Sequence, residues 1–65
     1  MNEDKYIIYI FYRDSENQFQ FSQEELDHFM DLLNDDSITY VEFRRLDTHY
    51  YYNKHWITKV EVQDY

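Results

Sequence analysis

Three histidines and fourteen acids are the side chains of this 65-residue sequence best suited to hold a metal ion or move a proton. His28 and Asp31 stand three residues apart, a spacing that lets two side chains share an ion from one face of a helix. His49 and His55 flank the run Tyr50-Tyr51-Tyr52. The surrounding pattern argues against a metal centre. There is no HExxH pair, no cysteine and no loop of alternating carboxylates. His28 reads as a solvated neighbour of Asp27 and Asp31, and neither a metal nor any other cofactor is expected.

Proton-transfer and acyl-transfer chemistry fare no better. Asp35-Asp36 is an acid pair, but no base stands in register with a nucleophile. Ser15, Ser22 and Ser37 fall in a turn, a helix cap and a loop. So short a chain also leaves little room for a substrate pocket. An enzyme is not expected. Direct nucleic-acid binding is disfavoured too, because the net charge of −8 repels phosphate and Arg44-Arg45 is the one basic cluster.

The carboxylates must be positioned by something, and the sequence supplies one clear helix from Ser22 to Asn34. Ser22 is a good N-cap, and Glu25 three residues on completes a capping box, with Phe21 and Leu26 placed as the hydrophobic staple. Leu26, Phe29, Met30 and Leu33 recur at helical spacing, and Leu32 widens their stripe. Asn34 is expected to end the helix in a left-handed conformation, since the chain has no glycine. The opposite face reads Glu24, Asp27, His28 and Asp31, followed by Asp35 and Asp36. With Glu25, these acids and the absence of Lys or Arg give the segment −6 of the chain's −8. Glu24, Glu25 and Asp27 suit the positive end of the helix dipole, whereas Asp31, Asp35 and Asp36 crowd its negative end.

Composition bounds the remainder. Residues 1–65 make one domain, with 1–4 expected to be a tail, and a chain of this size buries only about 60% of its unfolded surface. Without cysteine there is no disulfide and no requirement for an oxidising compartment. The longest apolar run, Tyr6 to Tyr12, is too short to cross a bilayer, and the acidic start does not resemble a secretory signal, so a cytoplasmic location is expected. Gly, Pro and Ala are absent while Tyr, Phe, Ile, Asn and Asp abound. That bias favours AT-rich codons and suggests a low-GC bacterium or one of its phages. Eight Tyr, five Phe and one Trp are more rings than one small core can enclose. Some tyrosines must therefore face outward.

Lys5 to Tyr12 alternates apolar and aromatic residues on both faces, as in a central strand. Residues 13–17 read as a turn, Gln18–Phe21 as a short second strand, and Ile38–Leu46 as a third. Asp47-Thr48-His49 is expected to turn the chain into an extended stretch over residues 50–65. That stretch forms one strand, or two if it breaks near Asn53-Lys54 as a tight hairpin. The expected fold is α+β: an antiparallel sheet of four or five strands in β-β-α-β-β order with the helix on one face. Its core would comprise Ile8, Ile10, Phe19, Phe21, Leu26, Phe29, Met30, Leu33, Val41, Phe43, Val60 and Val62. The other sheet face would be rich in tyrosine.

Two binding readings follow. Acids at 24, 27, 31 and 35 lie along one rigid helix at roughly 4.5–6 Å per step, against one phosphate per ~3.4 Å of a DNA strand. They could occupy a basic groove on another protein, although a solvated acidic face also serves solubility. The alternative is an interaction or homodimerisation module using Tyr50, Tyr51, Tyr52 and Trp56. In general character, a tiny, acidic, cysteine-free chain with the helix SQEELDHFMDLLNDD resembles the small phage and mobile-element inhibitors of bacterial defence, the anti-CRISPR and anti-restriction proteins. The resemblance implies stoichiometric inhibition without catalysis, with Glu24, Asp27, Asp31, Asp35 and Asp36 as partner contacts and exposed tyrosines as anchors. It also implies a partner with a basic nucleic-acid-binding groove.

Overall fold

The structure is a computed structural model that describes residues 6–64; the expected tail at 1–4 lies outside them. Five strands and one helix follow in the order β1 (Tyr6–Tyr12), β2 (Ser15–Phe21), α1 (Gln23–Asn34), β3 (Tyr40–Arg45), β4 (Thr48–Asn53) and β5 (Ile57–Asp64). The α+β class and the antiparallel pairing are as expected, but the strands do not form one sheet. A three-stranded sheet has the order β2-β1-β5, and β3 and β4 form a separate two-stranded hairpin.

The division has a local cause at the chain break expected near Asn53-Lys54. A two-residue hairpin there would need left-handed residues. Instead Asn53 Oδ1 accepts from His55 N at 2.9 Å, and Lys54–Trp56 makes a single 3-10 turn. This turn carries the chain away from β4 and onto the open edge of β1, where Ile10 pairs with Val60 and Ile8 with Val62. β1 is thus the central strand, as its two apolar faces require.

Inward residues of both sheets and the helix meet in one core of Ile8, Ile10, Phe21, Phe29, Val41, Phe43 and Tyr52. Phe43 is its hub. Its ring lies 4.8 Å from Phe19, 5.1 Å from Phe21, 6.0 Å from Phe29 and 5.3 Å from Tyr50. Phe19, Leu26, Met30, Leu33 and Val60 pack on this core half-buried, whereas Val62 remains 43% exposed. Val62 was expected inside. It is not covered because the helix packs chiefly towards β3 and β2, leaving the inner side of β5 open.

The helix begins as its sequence dictates. Ser22 Oγ accepts from Glu25 N at 3.3 Å and Glu25 Oε1 accepts from Ser22 N at 2.9 Å, the reciprocal capping box. The other oxygen of Glu25 accepts from Arg45 Nη1 at 2.7 Å, which fastens the helix start to the end of β3. The end of the helix differs from expectation. Asn34 is the last helical residue rather than a left-handed one, and Asp35 follows in an extended conformation.

Among the described residues the left-handed ones are Arg13 and Leu46, at φ 56° and 54°. Each opens a two-residue turn, Arg13-Asp14 between Tyr12 and Ser15 and Leu46-Asp47 between Arg45 and Thr48. Both turns are shorter than the sequence suggested, so residues 15–17, 48 and 49 belong to strands. Arg13 gains a compensating contact, its guanidinium lying 4.6 Å from the centre of the Trp56 ring. Leu46 is 94% exposed and its side chain gains no comparable cover. Leu46→Gly relieves the left-handed strain at the expense of a floppier unfolded chain, for an expected net gain of about 0.5–1 kcal/mol. A thermal melt should then rise by roughly 2–8 °C; a lower melting temperature would show that the turn is not strained.

Candidate functional site

Helical geometry places Glu24, Asp27, His28 and Asp31 within an arc of about 100°, and Glu24 and Asp31 about 10 Å apart along the axis. All four are exposed, on the side of α1 away from the buried Phe29. Asp27 accepts from Gln23 Nε2 at 3.0 Å, and Gln23 Oε1 in turn accepts from Tyr6 Oη at 2.6 Å. These contacts steady Asp27 without neutralising it. Among the described residues, neither Glu24 nor Asp31 has a cationic partner. The result is a short acidic ridge on a rigid support.

Asp35 and Asp36 do not continue the ridge. Asp35 Oδ1 accepts from Ser37 Oγ at 2.6 Å and from Ser37 N at 2.9 Å, and these bonds hold its carboxyl below the usual aspartate range. Its backbone carbonyl accepts from Lys54 Nζ at 2.5 Å. A cation therefore does reach the negative end of the helix, but it comes from the β4–β5 connection. Asp35 builds the turn that leaves the helix, so the apparent cost of its charge has a structural return. Asp36 is exposed beside it, in the loop rather than on the helix face.

The four aromatic candidates are not brought together. Tyr52 is 7% exposed and Tyr50 is half-buried, both on the inner face of the hairpin opposite Val41 and Phe43. Burial pushes the Tyr52 phenol above its ordinary pKa, with smaller contributions from Tyr50 and Tyr12. Tyr52 belongs to the core, and Tyr50 packs against it half-buried. Tyr51 points outward and stacks on His49 with centroids 4.7 Å apart. Trp56 sits on the 3-10 turn, edge-on to Tyr12 and under Arg13.

Sequence reasoning missed a groove of about 560 Å³ between α1 and the hairpin. Leu32 and Phe43 contribute apolar surface to it, and Glu24, His28, Glu42 and His49 contribute polar groups. His49 Nε2 lies 2.8 Å from Glu42 Oε1. Their proximity becomes visible only when the turn is placed at Leu46-Asp47, which sets Arg44 opposite His49 and Glu42 opposite Tyr51. Among the described residues no three His, Cys, Asp or Glu side chains gather closely enough to hold a metal ion. No helix among them is long and apolar enough to cross a membrane. Comparison with known protein families, with curated proteins and with solved structures finds no match to this chain.

Proposed function

We propose that this protein is a non-catalytic inhibitor that binds a nucleic-acid-handling enzyme of bacterial defence, a CRISPR-Cas or restriction nuclease, through the acidic ridge of α1. The observation that carries the reading is the ridge itself. Glu24, Asp27 and Asp31 project from one side of a capped helix, and among the described residues no cation is paired with them. Carboxylates held on a rigid rod lose little conformational freedom on docking, and lysine or arginine sites that receive phosphates can receive them as well. The small, acidic, cysteine-free character shared with known inhibitors of this type supports the same reading. Asp36 lies close enough in sequence to extend the contact, while Asp35 serves the turn. The aromatic alternative loses ground because Tyr50 and Tyr52 face the core.

Immobilised protein exposed to a low-GC bacterial lysate tests the proposal through two parallel elutions. One uses duplex DNA; the other uses about 1 M salt, where the Debye length falls to ~3 Å. The expected partner is a DNA- or RNA-binding enzyme released by both. Partners that are held through high salt and indifferent to the duplex would sink the reading.

A further inference from the structure

Among the described residues, β5 pairs with β1 on one side and with no strand on the other. At eight residues it is the longest strand, spanning about 26 Å. Open edges usually carry a defence against pairing, such as an inward-pointing charge, a proline or very short length. β5 has no proline and is not short, and its one charge at an inward position, Asp64 opposite Tyr6, stands at the very end of the strand, with Lys59 and Glu61 on the outer face. Its inward positions opposite Ile10 and Ile8 are Val60 and Val62, and its bulge, at Phe11/Tyr12, distorts only the start. Beside it lies a second groove of about 410 Å³, where Met30 and Leu33 of α1 face Ile57, Val60 and Val62. Among the described residues nothing covers this largely apolar groove, which Lys54, Thr58 and Lys59 also line, along the open edge of the strand.

The order of residues in β5 selects what fits there. In an antiparallel pair, directly opposite residues share a sheet face, so two identical strands related by a two-fold axis must have one residue opposite itself. With Val60 on the axis, Lys59 of each strand stands opposite Glu61 of the other, and Thr58 opposite Val62. Moving the axis to Lys59 or Glu61 puts like charges face to face, and moving it to Val62 sets Val60 against Asp64. Opposite charges across strands stabilise the pair and like charges oppose it. One register is favoured.

We infer that β5 is a self-association edge, at which a second copy of this chain pairs antiparallel about Val60 to form a continuous six-stranded sheet. The two-fold axis stands normal to the sheet, so both helices lie on one side and the two apolar grooves merge over Val60 and Val62. Glu24 and Asp31 lie about 100–180° around the helix from Met30 and Leu33 and stay exposed in the dimer, while Asp27, about 60° from Met30, borders the merged groove. This interface is distinct from the tyrosine face that composition alone suggested.

Sedimentation equilibrium from micromolar to millimolar protein provides the test. The wild-type chain is expected to dimerise. Lys59→Glu and Glu61→Lys each place like charges opposite one another at two symmetric sites and should each raise the dimer Kd about tenfold or more. The double swap Lys59→Glu/Glu61→Lys restores the complementary pairs and should recover tight association. Within one chain Lys59 Nζ lies 3.1 Å from Glu61 Oε2, but both side chains are about half exposed, and losing such a pair changes stability little. Circular dichroism confirms the fold of each variant. A wild-type chain that stays monomeric throughout, a dimer indifferent to the single changes, or a double swap no tighter than the singles would each overturn the inference.

Discussion

Phe43→Ala is expected to leave the chain largely unfolded at room temperature. Phe43 is only 8% exposed, and its ring touches aromatic rings from β2, α1 and β4 at centroid distances between 4.8 and 6.0 Å. Truncating a buried phenylalanine costs about 3–5 kcal/mol through lost transfer energy and the cavity left behind. Edge-on ring pairs such as those with Phe19 and Phe21 are worth about 0.5–1.5 kcal/mol each beyond their area, which pushes the loss to the upper end. Against this stands the whole stability of a 65-residue domain, roughly 3–10 kcal/mol. The loss is therefore comparable to the total. No disulfide is present to limit it. Phe43→Leu keeps most of the volume and should remain folded with a lower melting temperature. Far-UV and near-UV circular dichroism with temperature separate the two. An alanine variant melting within a few degrees of wild type would mean that Phe43 does not join the sheet, the helix and the hairpin.

Phe43 and its neighbours Phe19, Phe21 and Phe29 were expected in the core whereas Tyr50 and Tyr52 were not, and the reason lies in how each part of the chain encodes its direction. The helix is specified redundantly: a capping box fixes its start, a stripe of Leu26, Phe29, Met30 and Leu33 fixes its inner face, and the acidic outer face follows from geometry. The ridge of Glu24, Asp27 and Asp31 was therefore legible from the sequence. Strand faces have a period of two, so their sense depends on where the turns fall. Without glycine, the usual markers of left-handed turns are missing, and nothing in Arg13 or Leu46 announces such a conformation. Once Leu46-Asp47 is known to be the turn, Tyr50 stands opposite Phe43 and Tyr52 opposite Val41. Both rings must then point inward.

The separation into two sheets was hidden for a related reason. β1 can accept a neighbour on either edge, and alternation in β5 says only that it is a strand, not which strand it pairs with. Asn53 decides the matter by capping a 3-10 turn, a job its side chain performs as readily as forming a hairpin. Charge gave a different kind of partial information. Asp31, Asp35 and Asp36 looked equally misplaced at the negative end of a helix, yet Asp35 is engaged by Ser37, and Lys54 approaches from a distant part of the chain. The bonds from Ser37 are local and follow from the Asp-x-Ser spacing, whereas the approach of Lys54 is set by tertiary structure.

The engagement of Asp35 sets the design of the second large prediction: Glu24→Lys/Asp27→Lys/Asp31→Lys is expected to weaken partner binding by about a thousandfold or more. Losing three exposed ion pairs at about 0.2–1 kcal/mol each would remove at most about 3 kcal/mol. Reversal also replaces each attraction with a like-charge contact, and such contacts at an interface cost several kcal/mol. Every 1.4 kcal/mol is about tenfold in Kd, so a combined loss above about 4 kcal/mol exceeds a thousandfold. The fold should survive, because all three positions are exposed and none supports the capping box. Losing Glu24 from the first turn costs a few tenths of a kcal/mol to about 1, while a lysine at position 31 suits the negative end of the dipole and offsets part of it. Reversing Asp14, Glu16 and Asp47 instead changes the net charge equally at exposed sites outside the helix. If long-range charge alone drives the association, both triple variants will weaken binding alike. If the ridge is the docking element, only the helix variant will lose its partner, and its wild-type affinity will fall steeply with added salt. A helix variant that binds as tightly as wild type would remove the acidic ridge from the function.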